Sequence, residues 1–133
     1  MREKNMNDVL IVSLDKTLSK RLKSALEQSR IGPVSEATDT RVAIEYVKQQ
    51  KPSLVVIDLF LPGTSGVELL HKLKQNNDCH VMLITRVRNR HLLERAYRYG
   101  ADDVLVLPFS DETFLSFAFQ RVGRTELAPQ AKA

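Results

Sequence analysis

The chain has one cysteine, no tryptophan, and only five glycines and five prolines in 133 residues. The single thiol, Cys79, excludes an intramolecular disulfide. His71, His80 and His91 do not fall at zinc-ligand spacing and read as surface residues. No apolar run approaches the roughly 20 residues that cross a bilayer. The polar start Met1-Arg2-Glu3-Lys4-Asn5 lacks the apolar stretch of a signal peptide, so a cytoplasmic protein is expected. Neither sign of charge dominates. A net +4 is modest and does not by itself argue for nucleic acid. A phosphate-cradling loop is also absent: Pro62-Gly63-Thr64-Ser65-Gly66 lacks the lysine and the spacing of a P-loop. No serine sits in a nucleophile-elbow pattern.

What is present is an apolar content of 43%, suited to one globular core. Four short runs stand out: Val9-Leu10-Ile11-Val12, Leu54-Val55-Val56-Ile57, Val81-Met82-Leu83-Ile84 and Val104-Leu105-Val106-Leu107. None alternates with polar residues, the pattern of strands buried on both faces in a parallel sheet covered by helices. Val34-Ser35-Glu36-Ala37, shorter and more polar and preceded by Pro33, reads as an edge strand.

Helical spacing fills the gaps. Leu18, Leu22, Ala25 and Leu26 form one apolar face. Thr38 or Asp39 caps a helix carrying Val42, Ala43, Tyr46 and Val47, which stops before Pro52. Val67, Leu69, Leu70 and Leu73 follow Gly66. Leu92, Leu93, Ala96 and Tyr99 precede Gly100, a helix-ending glycine. Ser110, Asp111 and Glu112 open a last helix through Phe114, Leu115, Phe117, Ala118 and Val122. Five β-α units imply right-handed crossovers and a doubly wound, five-stranded parallel sheet. With the polar second strand at an edge, the order is 2-1-3-4-5, a flavodoxin-like three-layer sandwich. The domain is expected to span residues 1–122, with residues 123–133 a polar tail or the start of a linker.

In such sheets ligands bind beyond the carboxyl ends of the strands, where the connection direction reverses, here between strands one and three. The residues to inspect are Ser13, Leu14 and Asp15 after the first strand, Asp58 after the third, Thr85 after the fourth, and Leu107-Pro108 after the fifth. Asp58 follows four buried apolar residues, where a carboxylate is costly unless solvated, paired or functional. It reads as either a functional carboxylate exposed at the crevice edge or a loop hydrogen-bonder.

The segment Pro52 to Gly66, with Ile57-Asp58 at its centre, resembles the phosphoacceptor strand and loop of response-regulator receiver domains. Val81-Met82-Leu83-Ile84-Thr85 and Gly100-Ala101-Asp102-Asp103-Val104-Leu105-Val106-Leu107-Pro108-Phe109 are similar to two further segments of that family. The resemblance covers roughly residues 7 to 122. It implies a phosphorelay signalling module in which Asp58 accepts a phosphoryl group as an acyl phosphate. Thr85 would then hydrogen-bond the phosphoryl oxygen.

The family's magnesium-binding acidic pair falls on Ser13 and Leu14, its lysine on Leu107, its aromatic switch on Val104, and its small residue after the threonine on Arg86. Leucine cannot ligate a hard cation. Asp15, one position late, reads as a cap of the first helix, with Asp15 and Asp58 only a remote pair for a metal. No cofactor is expected, although magnesium is typical of the family. Arg86 either folds back to supply positive charge or is an ordinary solvated side chain. Phosphoryl transfer relies on charge neutralisation, so slow or phosphorylation-independent signalling by protein contact is expected, with at most self-phosphorylation and autodephosphorylation at Asp58 as enzymatic activity. The alternatives are an ordinary phosphorylatable receiver and, more remotely, a small-ligand domain on the same sheet.

The resemblance also implies a docking or dimerising surface on the fourth helix, fifth strand and fifth helix. Arg86, Arg88, Arg90, Arg95 and Arg98 stand there against Glu94. Implied partners are a histidine kinase, a phosphotransfer protein or an effector domain. A basic helix suits an acidic protein partner better than nucleic acid. An ordinary charged solvent face is the plainer reading.

Overall fold

Val9-Leu10-Ile11-Val12 is apolar at every position because helices cover both faces of the strand it forms. A computed structural model describes residues 8–61 and 65–122. The first run is β1 (Val9–Val12), buried throughout. There follow α1 (Lys16–Gln28), β2 (Val34–Ala37), α2 (Thr40–Gln50), β3 (Leu54–Asp58), α3 (Gly66–Asn76), β4 (His80–Thr85), α4 (Arg90–Arg98), β5 (Asp103–Val106) and α5 (Asp111–Arg121). The strands form one parallel sheet in the order β2-β1-β3-β4-β5.

Alternate residues of each strand feed two cores. Leu10, Val12, Val55, Ile57, Val81 and Leu83 pack with Ala43, Val47, Leu69, Leu70, Leu73 and Ala96 from α2, α3 and α4. On the other face Ile11, Val56, Met82, Ile84 and Leu105 pack with Leu18, Leu22 and Leu26 of α1 and Phe114 and Ala118 of α5. Each such fully buried side chain contributes about 1.5–3 kcal/mol relative to exposure. Every helix starts on a side chain that accepts an N–H from the first turn: Asp15 from Leu18, Asp39 from Val42, Ser65 from Glu68, Asn89 from Leu92 and Ser110 from Thr113. The second helix is thus capped by Asp39, not Thr38. It ends at Lys51, in the left-handed region. Gly100, at φ 111°, ends α4.

Three expectations need correction. Val42 is exposed, because the buried stripe of α2 runs through Ala43 and Val47 alone. The fifth apolar run is fully covered on one face and only half covered on the other. β5 is the second edge of the sheet, with Asp103 and Leu105 buried and Val104 and Val106 half-buried. Leu92 and Leu93 are also half-buried, so α4 packs mainly through Ala96. The expected tail at 123–133, the first seven residues and Pro62-Gly63-Thr64 lie outside the described residues. Among the described residues, no helix is long and apolar enough to cross a membrane.

Candidate functional site

Parallel strands bring their carboxyl ends to one rim, so residues scattered along the chain meet there. Asp58, the last residue of β3, pairs with Ile84. Thr85 pairs with Val106, and the Leu107 N–H donates to the Thr85 carbonyl at 2.8 Å. Ser13 directly follows β1.

Ser13 Oγ accepts the Asp15 N–H at 3.0 Å and donates to Asp58 Oδ2 at 2.8 Å. Asp58 Oδ1 accepts the Phe60 N–H at 3.1 Å, an Asx turn, and Arg86 Nη1–H at 3.0 Å. The other arm of the same guanidinium, Nη2, donates to Asp15 Oδ2 at 2.9 Å. Asp15 Oδ1 meanwhile caps α1 through Leu18 N–H. Arg86 thus ties the ends of β1, β3 and β4 together.

Asp58 is not the exposed carboxylate expected at the crevice edge. It is 3% exposed, covered by Arg86 and held by three donors. A buried charge is tolerated when it is paired and hydrogen-bonded in this way. The carboxylates in turn raise the Arg86 pKa, Asp58 chiefly through its hydrogen bond, which keeps the guanidinium charged. The Asp15 carboxyl is held below its ordinary value, first by the Leu18 N–H; burial opposes this, and the hydrogen bond and charge of Arg86 lower it further. The side chain of Arg86 is 35% exposed, so it lies at the boundary between the network and water rather than extending freely into solvent.

Thr85 is buried. Its hydroxyl oxygen accepts the Val87 N–H at 3.1 Å and lies 3.4 Å from the Val87 carbonyl, so it is turned to its own loop. Leu107, half-buried, supplies backbone to this rim but no charge. Val104 lies lower in β5, opposite Leu83. Leu14 is 50% exposed. With Phe60 and Leu61 it lines an open cleft of about 540 Å³ whose polar lining is Asp15, Asp58 and Arg86. Arg88, Arg90, Arg95 and Arg98 are exposed, Arg95 with its guanidinium 5.8 Å from the Tyr99 ring centroid. The Arg86 guanidinium, by contrast, is engaged by Asp58 and Asp15.

Phe60 was not singled out from the sequence, although a residue two after an aspartate at a strand end is the ordinary donor of an Asx turn. Gly66 carries a constraint only the fold exposes. A Cβ there would meet Leu59 Cα at 2.8 Å and the Asp58 carbonyl at 3.1 Å, so the start of α3 rests directly on the chain leaving Asp58.

The model of the response regulator receiver domain matches residues 9–118. The chain belongs to the receiver-domain family. Among proteins similar to this receiver, the transcriptional regulatory protein MalR of Bacillus subtilis is 31% identical over 113 residues, which are 82% of this chain and 47% of MalR. Protein CcdB of Bacillus subtilis is 30% identical and is matched over 98% of its length and 88% of this chain. Among solved structures, the receiver domain of the Francisella response regulator 1452 superposes with a TM-score of 0.82 at 26% identity, covering 90% of this chain and 98% of that one. The receiver spans about half the length of the first curated relatives it matches. Receiver domains are signalling modules of two-component systems.

Proposed function

We propose that this receiver signals by protein–protein contact and does not depend on rapid phosphorylation of Asp58. The observation that carries the reading is that both oxygens of the buried Asp58 carboxylate are engaged by the protein's own donors. Ser13 holds one oxygen, and the Phe60 N–H and Arg86 hold the other. Attack on a phosphodonor requires one of these oxygens free and in line, with cations to neutralise the incoming charge. Here an attacking oxygen must first give up a charge-assisted hydrogen bond or a buried hydroxyl.

The magnesium ion typical of the family does not fit the donor set. The Leu14 side chain offers no oxygen, and the Ser13 hydroxyl is taken up by Asp58 and the Asp15 N–H. A fixed cation already bridges Asp58 and Asp15. Among the described residues no three His, Cys, Asp or Glu side chains converge. Loss of metal stabilisation costs several kcal/mol of barrier, roughly a thousandfold in rate.

The partner is an acidic protein surface, from a histidine kinase, a phosphotransfer protein or an effector domain, docking on Arg88, Arg90, Arg95 and Arg98. A second copy of the chain, docking through α4, β5 and α5, is the homodimer alternative. An ordinary phosphorylatable receiver is the second reading. It is favoured by the retention of Asp58 beside a buried Thr85.

Incubation with a small-molecule phosphodonor and magnesium, followed by intact-mass measurement, separates the two readings. The proposal expects no phosphoryl adduct under conditions that label a control receiver. A stoichiometric adduct that Asp58→Asn abolishes establishes the second reading instead.

A further inference from the structure

We infer that the guanidinium of Arg86 is the resident cation of this site, and that beneath it lies a carboxylate pair that admits a divalent ion only when the guanidinium is withdrawn. The inference concerns what neutralises the site. It deepens the contact-signalling reading without requiring any test of phosphorylation.

A single planar fork reaches two carboxylates that lie 43 residues apart in sequence. Nη1 is 3.0 Å from Asp58 Oδ1 and Nη2 is 2.9 Å from Asp15 Oδ2. Such bidentate bridging is a property of arginine that lysine's point charge does not reproduce. A hard cation such as Mg²⁺ is commonly held through one or two carboxylates with waters completing its shell, and two carboxylates share one small volume here. In this chain that volume is filled by a group that is charged at every accessible pH and needs no free ligand to bind. Asp15 is committed to the same arrangement from its other side. Its second oxygen caps α1, and its own N–H is held by the Ser13 hydroxyl that also holds Asp58. The bridge, the cap and the serine form one continuous polar network across the ends of three strands. A divalent ion entering it meets a like charge a few ångströms away and must break two charge-assisted hydrogen bonds.

The network also bears on output. Arg86 directly follows β4, and Thr85 closes the same turn onto Val87. The segment leading to the basic helix is therefore held by intramolecular contacts rather than by a metal-dependent event.

The experiment is a Mn²⁺ titration of the full chain followed by NMR relaxation of the backbone amides near residues 15, 58 and 86, with no phosphodonor present. The native chain is expected to show no saturable broadening there at millimolar Mn²⁺. Arg86→Gln is expected to gain saturable broadening at those residues, with at least about a hundredfold tighter binding than the native chain, because the like charge has gone. Adding Asp15→Asn to Arg86→Gln should abolish the gain. Saturable Mn²⁺ binding by the native chain at Asp58 overturns the inference, as does a folded Arg86→Gln that gains nothing. If Arg86→Gln does not fold, the native chain decides alone. The Arg86 side-chain Nε–H resonance must keep its shift on adding millimolar Mg²⁺, and a change there together with the Asp58 amide overturns the inference. A phosphoryl adduct in the mass experiment would leave the metal result standing, so the two readings fail separately.

Discussion

Asp58 was legible as a candidate because four apolar residues ahead of it put a carboxylate at a strand end. Its covering was not legible. The Arg86 contacts to Asp58 and Asp15 span 28 and 71 residues of sequence, and nothing local in Arg86-Val87-Arg88 distinguishes a side chain turned inward from one in water. Ser13 illustrates the same point. As a substitution in the acidic pair it reads as a loss, yet its hydroxyl donates to Asp58 and accepts from Asp15 N–H. Ser13→Ala should therefore destabilise the fold by about 1–3 kcal/mol, the range for leaving buried polar atoms without a partner, measured as a shift in urea midpoint at unchanged slope.

Asp102 supplies a pH prediction. Burial raises its pKa, but the Val81 N–H and the Lys74 ammonium outweigh this and hold it below the ordinary 3.8. A carboxyl depressed in the folded state stabilises above its unfolded pKa, and that stability is lost as pH falls through the folded value. Urea midpoints should fall as the pH drops below about 4. The fall should be shallower in Asp102→Asn, with the share of Asp15 remaining.

At the scale of elements, strands and helices were legible where the period was strong. β2 falls where its polar, proline-led segment put an edge strand, and the buried stripe of α1 where helical spacing put it. The misreadings have physical causes. Val104-Leu105-Val106-Leu107 is as apolar as a central strand, but an edge strand with one face half covered accepts the same residues, so composition cannot separate the two. Val42 lies at helical spacing from core residues but just off a stripe only Ala43 and Val47 fill. The contact of α3 with the end of β3 depends on an approach distance that no pattern encodes. Gly66→Ala should cost about 1–3 kcal/mol, because the new methyl meets backbone and not a side chain that can swing away. Thermal melting checks this, and an unchanged melting temperature would mean the helix start slides at no cost.

For the whole molecule, the alternation of five β-α units with a polar second strand at an edge determined the sheet order and with it the rim on which Ser13, Asp58, Thr85 and Leu107 meet. Charge distribution belongs to this scale as well. The exposed arginines at 88, 90, 95 and 98 should bind an acidic partner with an affinity that falls as salt rises. Replacing Arg95 and Arg98 with glutamine should flatten that salt dependence in a binding titration while leaving the fold intact.

The account turns on the ion pair between Arg86 and the buried Asp58, and a double-mutant cycle in urea with Arg86→Ala, Asp58→Asn and the combined variant measures it directly. Removing the arginine alone should cost about 2–3 kcal/mol. That lies at or below the bottom of the range for breaking a buried pair, because the Arg86 side chain is partly open to water. The combined variant should be more stable than Arg86→Ala, with a coupling energy above about 1 kcal/mol. A coupling below about 0.5 kcal/mol, the level of a surface pair, would contradict the account.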